Sequence, residues 1–352
     1  MNDPSTRESA NTLRQIVLAA RPTGKPALSD FRLEEVPIPT PGPGQFLVRV
    51  QYLSLDPYMR GRMEDRKSYA PPTKLGAVMP GESVATVVAS NHSAYSEGDI
   101  VVAPTGWRTH ALFDRGDLRK LDPSVAPVTT GLGALGMPGF TAYGGLHVIG
   151  KPKPGETVVV AAASGPVGSM VGQLAKVAGA RAVGIAGGPE KCAYVKTELG
   201  FDAVVDHKAP DFATQLSAAC PKGIDVYFEN VGGAVWQAVL PLLNPFARIP
   251  VCGLIAHYNA TGPGDGPNLL PATMLSILSK SLTVRGFINY EFAAEHFGTF
   301  LRDVGKGIAN GAIRYREDFV DGLENAPEAF IGMLEGHNFG KLIVRVDKQS
   351  NE

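Results

Sequence analysis

The segment Val158-Val159-Val160-Ala161-Ala162-Ala163-Ser164-Gly165-Pro166-Val167-Gly168 runs an apolar, β-branched stretch directly into a glycine turn. Residues of these types in this order can hold a pyrophosphate. Glycines let the backbone turn sharply and approach the phosphates, whose charge then rests on the first amides and the positive end of a following helix. Gly165 and Gly168 occupy two of the three glycine positions of the dinucleotide fingerprint, and Ala163 stands at the first. Pro166 suits the first turn of a helix, where its missing N–H costs nothing, and Val167 continues that turn. The same letters also fit a plain strand-to-helix turn.

About 20 residues further on, an enzyme using NAD offers an acid to the ribose hydroxyls. This chain has Gly187-Gly188-Pro189-Glu190-Lys191 there. Two glycines leave room for a 2′-phosphate, and Lys191 can supply a compensating cation, so the pattern favours NADP. His207-Lys208 can flank the adenosine and its phosphate. Lys191 is equally a residue that opens a helix in solvent.

The elements that must position these residues follow from the hydrophobic pattern. From Gln15 to about Leu135 short β-rich runs alternate with Pro and Gly: Gln15 to Ala20, Phe31 to Val36, Gln45 to Leu53, Val84 to Ala89 and Ile100 to Ala103. That spacing predicts an all-β unit, a partly open barrel. After Met137, strands at Thr157–Ala162, Ala182–Ala186, Ala203–Val205, Val226–Glu229, Arg248–Cys252 and Leu282–Gly286 alternate with helices at Val167–Ala178, Lys191–Leu199, Val235–Leu243 and Glu295–Asn310. Alternation of this kind predicts a doubly wound parallel sheet of the α/β class. The tail returns to β character at Gly340–Val346, which is expected to rejoin the first domain.

With 352 residues, 44% hydrophobic and 19% charged, the chain has room for two globular domains. A formal net charge of -1 without long runs of one sign leaves no electrostatic basis for binding nucleic acid or an anionic membrane, so a small molecule is the expected partner. No apolar run approaches the ~20 residues that span a bilayer. The polar opening, Met1 to Asn11, is unlike a secretion signal. Cys192, Cys220 and Cys252 lie far apart, which argues against a disulfide framework or a thiolate zinc site and points to a reducing cytoplasm.

Several short stretches together resemble the medium-chain dehydrogenase/reductase superfamily, and within it the zinc-free branch of prostaglandin reductases, leukotriene hydroxydehydrogenases and alkenal double-bond reductases. They are Leu55-Asp56-Pro57-Tyr58-Met59-Arg60, Gly136-Met137-Pro138-Gly139-Phe140-Thr141-Ala142-Tyr143, the glycine turn, Glu229-Asn230-Val231-Gly232-Gly233, Cys252-Gly253-Leu254-Ile255 with Tyr258-Asn259, and His337-Asn338-Phe339-Gly340-Lys341. The resemblance implies a Rossmann NADP-binding domain over 139–310 and a GroES-like, partly open β-barrel catalytic domain made of 1–138 and 311–352. It also implies that Gly165 to Gly168 form the pyrophosphate turn and that Lys191 is the 2′-phosphate cation. Asn230 would line the cofactor, Cys252, Gly253, Leu254 and Ile255 would pass the nicotinamide ribose, and Phe287, Ile288 and Asn289 would lie close to the nicotinamide. Asn338 would close on the cofactor from the C-terminal side. The family commonly has Tyr where this chain has His207; either ring can lie along a ribose, and a protonated His would also attract the phosphate. Zinc-dependent relatives carry Gly-His-Glu near the place of Pro80-Gly81-Glu82, and a cysteine cluster that this chain lacks.

The activity implied is NADPH-dependent reduction of the double bond of an α,β-unsaturated ketone or aldehyde, without metal. Such a reaction needs a hydride at the β-carbon, stabilisation of a developing enolate oxygen and a proton at the α-carbon. Tyr258 is the expected polariser or proton source, although a tyrosine at a loop often only packs its ring. Tyr58, Met59 and Arg60 are expected to wall the substrate pocket together with Tyr290. Arg60 equally suits an internal salt bridge, and Tyr290 and Phe292 equally suit core filling. A quinone reductase, an allylic or lipid alcohol dehydrogenase, and a non-catalytic NADPH-binding protein are the alternatives. A homodimer is implied by analogy of fold alone.

Overall fold

The computed structural model describes residues 11–262 and 268–346. The residues before Asn11 and beyond Val346, which the domain reading above assigns to the β-rich unit, lie outside the described residues. In chain order, β1 (Thr12–Leu18), β2 (Phe31–Pro37) and β3 (Phe46–Ser54) precede a short helix α1 (Tyr58–Arg62). Then come β4 (Ser83–Ser90), β5 (Ile100–Ala103), β6 (His110–Phe113) and β7 (Arg119–Leu121). Helix α2 (Met137–Gly144) continues into a π-helical turn, Gly145–Gly150, and leads to β8 (Thr157–Ala161), α3 (Pro166–Val177), β9 (Arg181–Ala186), α4 (Pro189–Thr197), β10 (Ala203–Asp206), α5 (Phe212–Ala219), β11 (Ile224–Phe228), α6 (Gly233–Val239) and β12 (Leu243–Val251). The last elements are α7 (Leu270–Ser279), β13 (Thr283–Gly286), α8 (Ala293–Ala309), β14 (Glu317–Asp321), α9 (Ala326–Leu334) and β15 (Lys341–Arg345).

The described residues fall into two compact units, one of residues 11–132, 317–338 and 342–346, the other of 133–316 and 339–341. In the first, β14, β15, β3, β4, β5 and β7 pair in that order, with β6 also paired to β3, so the sheet keeps two edges. Every strand pairing recorded for β3 is antiparallel, and the central strand alternates its side chains so that Phe46, Val48 and Val50 face inward. Trp107, fully buried, stacks on Phe31 with ring centroids 5.7 Å apart and meets Phe330 of α9 edge-on at 5.6 Å. The returning tail therefore completes this core through Phe330, Met333 and Val344.

In the second unit six strands run parallel in the order β10-β9-β8-β11-β12-β13. Taking β8 as the first, this is the doubly wound 3-2-1-4-5-6 order, with its switch point between β8 and β11, the place where such sheets bind ligands beyond their carboxyl ends. The unbroken apolar run of β8 is explained by burial of all five of its residues, as expected of a strand covered on both faces.

Close approach of α3 to the sheet depends on small residues. A Cβ at Gly172 would overlap the buried Phe201 ring, and one at Gly184 would stand 2.9 Å from the Ala163 methyl. Gly172→Ala is expected to destabilise the protein by about 1–3 kcal/mol through overpacking. Combined with Phe201→Leu, which frees the space, it should cost less than the sum of the two single changes. Denaturant unfolding of the four proteins measures this, and strictly additive costs would contradict the packing argument.

Candidate active site

Strand β8 ends at Ala161, and the next residue, Ala162, adopts a left-handed φ of 53° where the chain turns. The amide of Ala163 donates to the Ile185 carbonyl of β9 at 2.9 Å, and that of Gly165 to the Ala162 carbonyl at 3.0 Å. Helix α3 starts at Pro166 with no side chain capping it. The amides of Val167 and Gly168, in its first turn, have no acceptor inside the helix and share its positive end. A Cβ at Gly168 would overlap the Ala162 carbonyl, so only glycine lets helix and strand approach this closely. The turn fits an anion lying against backbone, as a pyrophosphate would.

At the end of β9, Gly187 and Gly188 lead into α4, which carries Lys191. Asp206, at the end of β10, accepts the amides of both Gly188 and Lys208 at 2.9 Å, which joins the two strand ends. Those two backbone bonds hold its carboxyl below the usual carboxylate range. A Cβ at Gly187 would stand 2.7 Å from His207 Nε2 and 3.3 Å from Lys208 Cε. Burial, then the cations Lys208 and Lys191, hold His207 below the usual imidazole range against the pull of Asp206. The structure thus brings Gly187, Lys191, His207 and Lys208 together as a basic cluster.

Beyond β11 the chain forms a compact turn. Asn230 donates its side-chain amide to the Ala161 carbonyl at 2.9 Å, linking the end of β11 to the end of β8 on either side of the switch point. The loop after β12 is zipped onto this turn. Cys252 and Gly253 donate to the Glu229 carbonyl at 2.9 and 3.1 Å, Ile255 to that of Asn230 at 3.2 Å and Ala256 to that of Val231 at 3.0 Å. A 3₁₀ turn, Ile255–His257, then delivers Tyr258, half-buried, with its hydroxyl 3.1 Å from where a Cβ on Gly253 would lie. Leu254 is exposed on the same loop. The Cys252 thiol is pushed up to about 12 by burial and the nearby Glu229 charge, so it stays protonated at neutral pH. Among the described residues no three His, Cys, Asp or Glu side chains converge as a metal-holding group.

Phe287 is buried against Phe228 and Phe292, whereas Ile288 is half-buried and donates its amide to Glu291 at 2.8 Å. Asn289 donates to the Thr141 hydroxyl of α2 at 3.2 Å, which ties it to the Gly136–Tyr143 motif. Tyr290 is exposed.

In the other unit, Tyr58, Met59 and Arg60 open α1 rather than extending a strand. Met59 is 0% exposed within the apolar core, so it offers no surface to a ligand. Arg60 is 1% exposed and donates to Glu64 at 3.1 Å and to the Gly24 carbonyl at 2.8 Å. Both expectations of pocket walls are corrected here: Met59 fills core, and Arg60 is the internal ion-pair residue. Tyr58 is partly buried, and burial with the Asp56 and Glu82 charges pushes its phenol well up. The Arg62 guanidinium lies 5.7 Å from its ring centroid and 4.2 Å from that of the exposed Tyr69. Asn338, half-buried, precedes β15.

Two further residues were not legible in advance. The Glu229 carboxylate is 3% exposed and accepts the amides of Val231 at 2.7 Å and Gly232 at 2.9 Å and the Tyr227 hydroxyl at 2.9 Å. Burial pushes its carboxyl up against the opposing pull of those donors. Asp206 similarly spends its carboxylate on backbone. Both stand in segments the sequence singles out, but nothing in their letters says that they turn inward.

Comparison with known proteins accords with this geometry. Residues 14–121 match the family model described as the N-terminal domain of oxidoreductase, and residues 166–304 the one described as zinc-binding dehydrogenase. The chain is 54% identical over 333 residues to the NADPH-dependent curcumin reductase of Escherichia coli strain K12, covering 95% of this chain and 96% of that one. It is 42% identical over 329 residues to prostaglandin reductase 1 of Bos taurus, covering 92% and 95%. The crystal structure of CurA in complex with NADPH from Vibrio vulnificus superposes with a TM-score of 0.92 at 53% identity, over 95% of this chain and 99% of that one. With relatives this similar over nearly the whole length, the chain belongs to the medium-chain dehydrogenase/reductase superfamily, among the curcumin and prostaglandin reductases.

Proposed function

We infer that the protein is an NADPH-dependent oxidoreductase that reduces the carbon–carbon double bond of α,β-unsaturated aldehydes and ketones. The observation that carries this reading is the zipping of the Tyr258 loop onto the turn after β11, next to the strand end that feeds the glycine turn. Relatives whose names specify NADPH-dependent curcumin reduction and prostaglandin reduction support the same activity.

NADPH, when bound, supplies a hydride to the β-carbon of the alkene. Gly165, Pro166, Val167 and Gly168 would hold its pyrophosphate, Lys191 and His207 its 2′-phosphate, and Asn230, Cys252 to Ile255 and Phe287 to Asn289 its nicotinamide half. Tyr258 donates a hydrogen bond to the substrate carbonyl as negative charge moves onto that oxygen. It can then pass its proton to the α-carbon and recover one from solvent. Tyr290, exposed just beyond Asn289, would offer apolar ring surface to the substrate.

The finer reading is a homodimer in the cytoplasm. Helix α7 has no buried residue and presents Leu270, Met274, Leu275 and Leu278, and β13, at the sheet edge, exposes all four of its residues. An open sheet edge beside an apolar helix face suits a second copy of the chain. Three unpaired cysteines suit a reducing compartment.

Against a panel of a 2-alkenal, an enone, a quinone, and a secondary allylic alcohol with NADP, the alkenal and enone should be turned over, and Tyr258→Phe should lower kcat by ~10²-fold. Turnover of quinone alone, or an undiminished Tyr258→Phe, would overturn the assignment.

Lys191→Ala should raise the KM for NADPH by roughly 10- to 100-fold, as loss of a charge-assisted bond does, while leaving use of NADH unchanged. His207 is held below its ordinary value, and the phosphate dianion would raise it. Binding therefore takes up a proton, and the KM for NADPH should rise with pH across the window just above the depressed His207 value more steeply than in His207→Tyr. Equal slopes in the two proteins would remove His207 from the phosphate site.

Finally, Leu275→Asp with Leu278→Asp should convert a dimer to a monomer in light scattering after size exclusion. A wild-type monomer would contradict the dimer.

A further inference from the structure

The turn after β11 has an unusual internal demand. Gly232 and Gly233 take left-handed φ values of 76° and 56°, which aims the amides of Val231 and Gly232 inward, and α6 has no side-chain cap. In the glycine turn before α3 the corresponding amides would face the cofactor's pyrophosphate. Here they face the protein's own Glu229, whose Oε1 accepts both of them and the Tyr227 hydroxyl. The same residue's carbonyl oxygen accepts Cys252 and Gly253, and the next two carbonyls accept Ile255 and Ala256. A Cβ at Gly232 would stand 3.0 Å from His257 Cδ2, and one at Gly233 3.4 Å from the Ala256 methyl. Turn and loop therefore fit closely as one body, and the shape of the first sets the place of the second.

We propose that Glu229 is a positioning residue for the reaction: its buried carboxylate fixes the 229–233 turn, and through the turn's carbonyls it fixes the loop that presents Tyr258. Glu229 would touch neither substrate nor cofactor. What it sets is the position of the Tyr258 hydroxyl, and misplacement of a reacting group by ~1 Å can cost ~10²-fold in rate. The kinetic consequence rests on the reading of Tyr258 as the donor, whereas the structural one does not.

The test compares wild type, Glu229→Gln, Glu229→Leu and Tyr227→Phe by amide hydrogen exchange of the full-length protein, and by kcat with an enone and NADPH. Glu229→Gln keeps a carbonyl oxygen to accept the two amides, so it should retain kcat and the protection of 252–258 to within a few-fold. Glu229→Leu, with no acceptor, should exchange the amides of 230–233 and 252–258 at least 10-fold faster and lose ~10²-fold in kcat. Tyr227→Phe keeps the ring's bulk and removes one donor. It should loosen the same two segments more mildly, which supplies the result if Glu229→Leu does not fold. Glu156→Gln, which breaks a salt bridge to Arg248 distant in sequence, is the control: it should lower the melting temperature and leave kcat unchanged.

Unchanged exchange at 252–258 in both Glu229→Leu and Tyr227→Phe overturns the proposal. So does a rate loss in Glu229→Leu that adds fully to that of Tyr258→Phe in the double variant, because a residue acting through Tyr258 has little more to remove once the hydroxyl is gone. Faster exchange combined with a fully active Tyr258→Phe would uphold Glu229 as the anchor of the loop while removing Tyr258 from the chemistry.

Discussion

The glycine turn after β8 depends on how closely α3 can lie against β8 and β9. Three small residues set that distance. Gly168 lets the helix start meet the Ala162 carbonyl, Gly172 accommodates the Phe201 ring and Gly184 accommodates the Ala163 methyl. Any side chain at these places would push the helix outward and carry its first-turn amides away from the strand end. Glycine here costs backbone entropy, roughly 0.5–1 kcal/mol relative to alanine inside a helix, and what it secures is position. The absence of glycine at 163 has a reason in the same geometry: the Ala163 methyl is itself buried and packs against Gly184.

Most of the parallel unit was legible because its central strands, β8, β9 and β11, are mostly buried and read largely as apolar runs, and because α3 and α4 each start at a Pro after Gly. The elements that sequence did not reveal are those whose stability comes from tertiary contacts. Helix α2 spells Met-Pro-Gly-Phe-Thr-Ala-Tyr-Gly, with one proline and two glycines, yet all but its first residue are buried. Helix α9 lies in a tail read only as a return to β structure, but its Phe330 and Met333 finish the core around Trp107. Strands β6 and β7, four and three residues long, are too short for a period to show.

At the site, residue type identified the parts but did not fix their direction. Met59 and Arg60 were chosen for chemistry that suits a pocket, and a methionine in a core or an arginine bonded to Glu64 and Gly24 is spelled with the same letters. The carboxylates show this more sharply. Glu229 and Asp206 both end strands at the carboxyl edge of the sheet, where a free acid would repel an anionic cofactor. Each instead accepts two backbone amides, so its charge is largely consumed within the protein. A sequence displays the charge; only the fold shows where it is spent.

The surroundings of His207 show how one residue draws in its neighbours. Gly187 and Gly188 read in the sequence as space left for a phosphate. In the structure Gly187 is also the residue that His207 requires, since a Cβ there would press on Nε2. His207 is exposed near Asp206 and the two lysines, and partial desolvation of its ring together with the lysines outweighs the carboxylate and holds it below the usual imidazole range. A neutral ring costs less to bury than a charged one and can still gain a proton when a dianion arrives. Tyrosine at this position would offer ring surface and a hydroxyl, but no such gain of charge near neutral pH, because its unperturbed value lies near 10. On the proposed cofactor placement, histidine instead of tyrosine at 207 would keep a ring beside the ribose and add a cation that forms when the phosphate arrives.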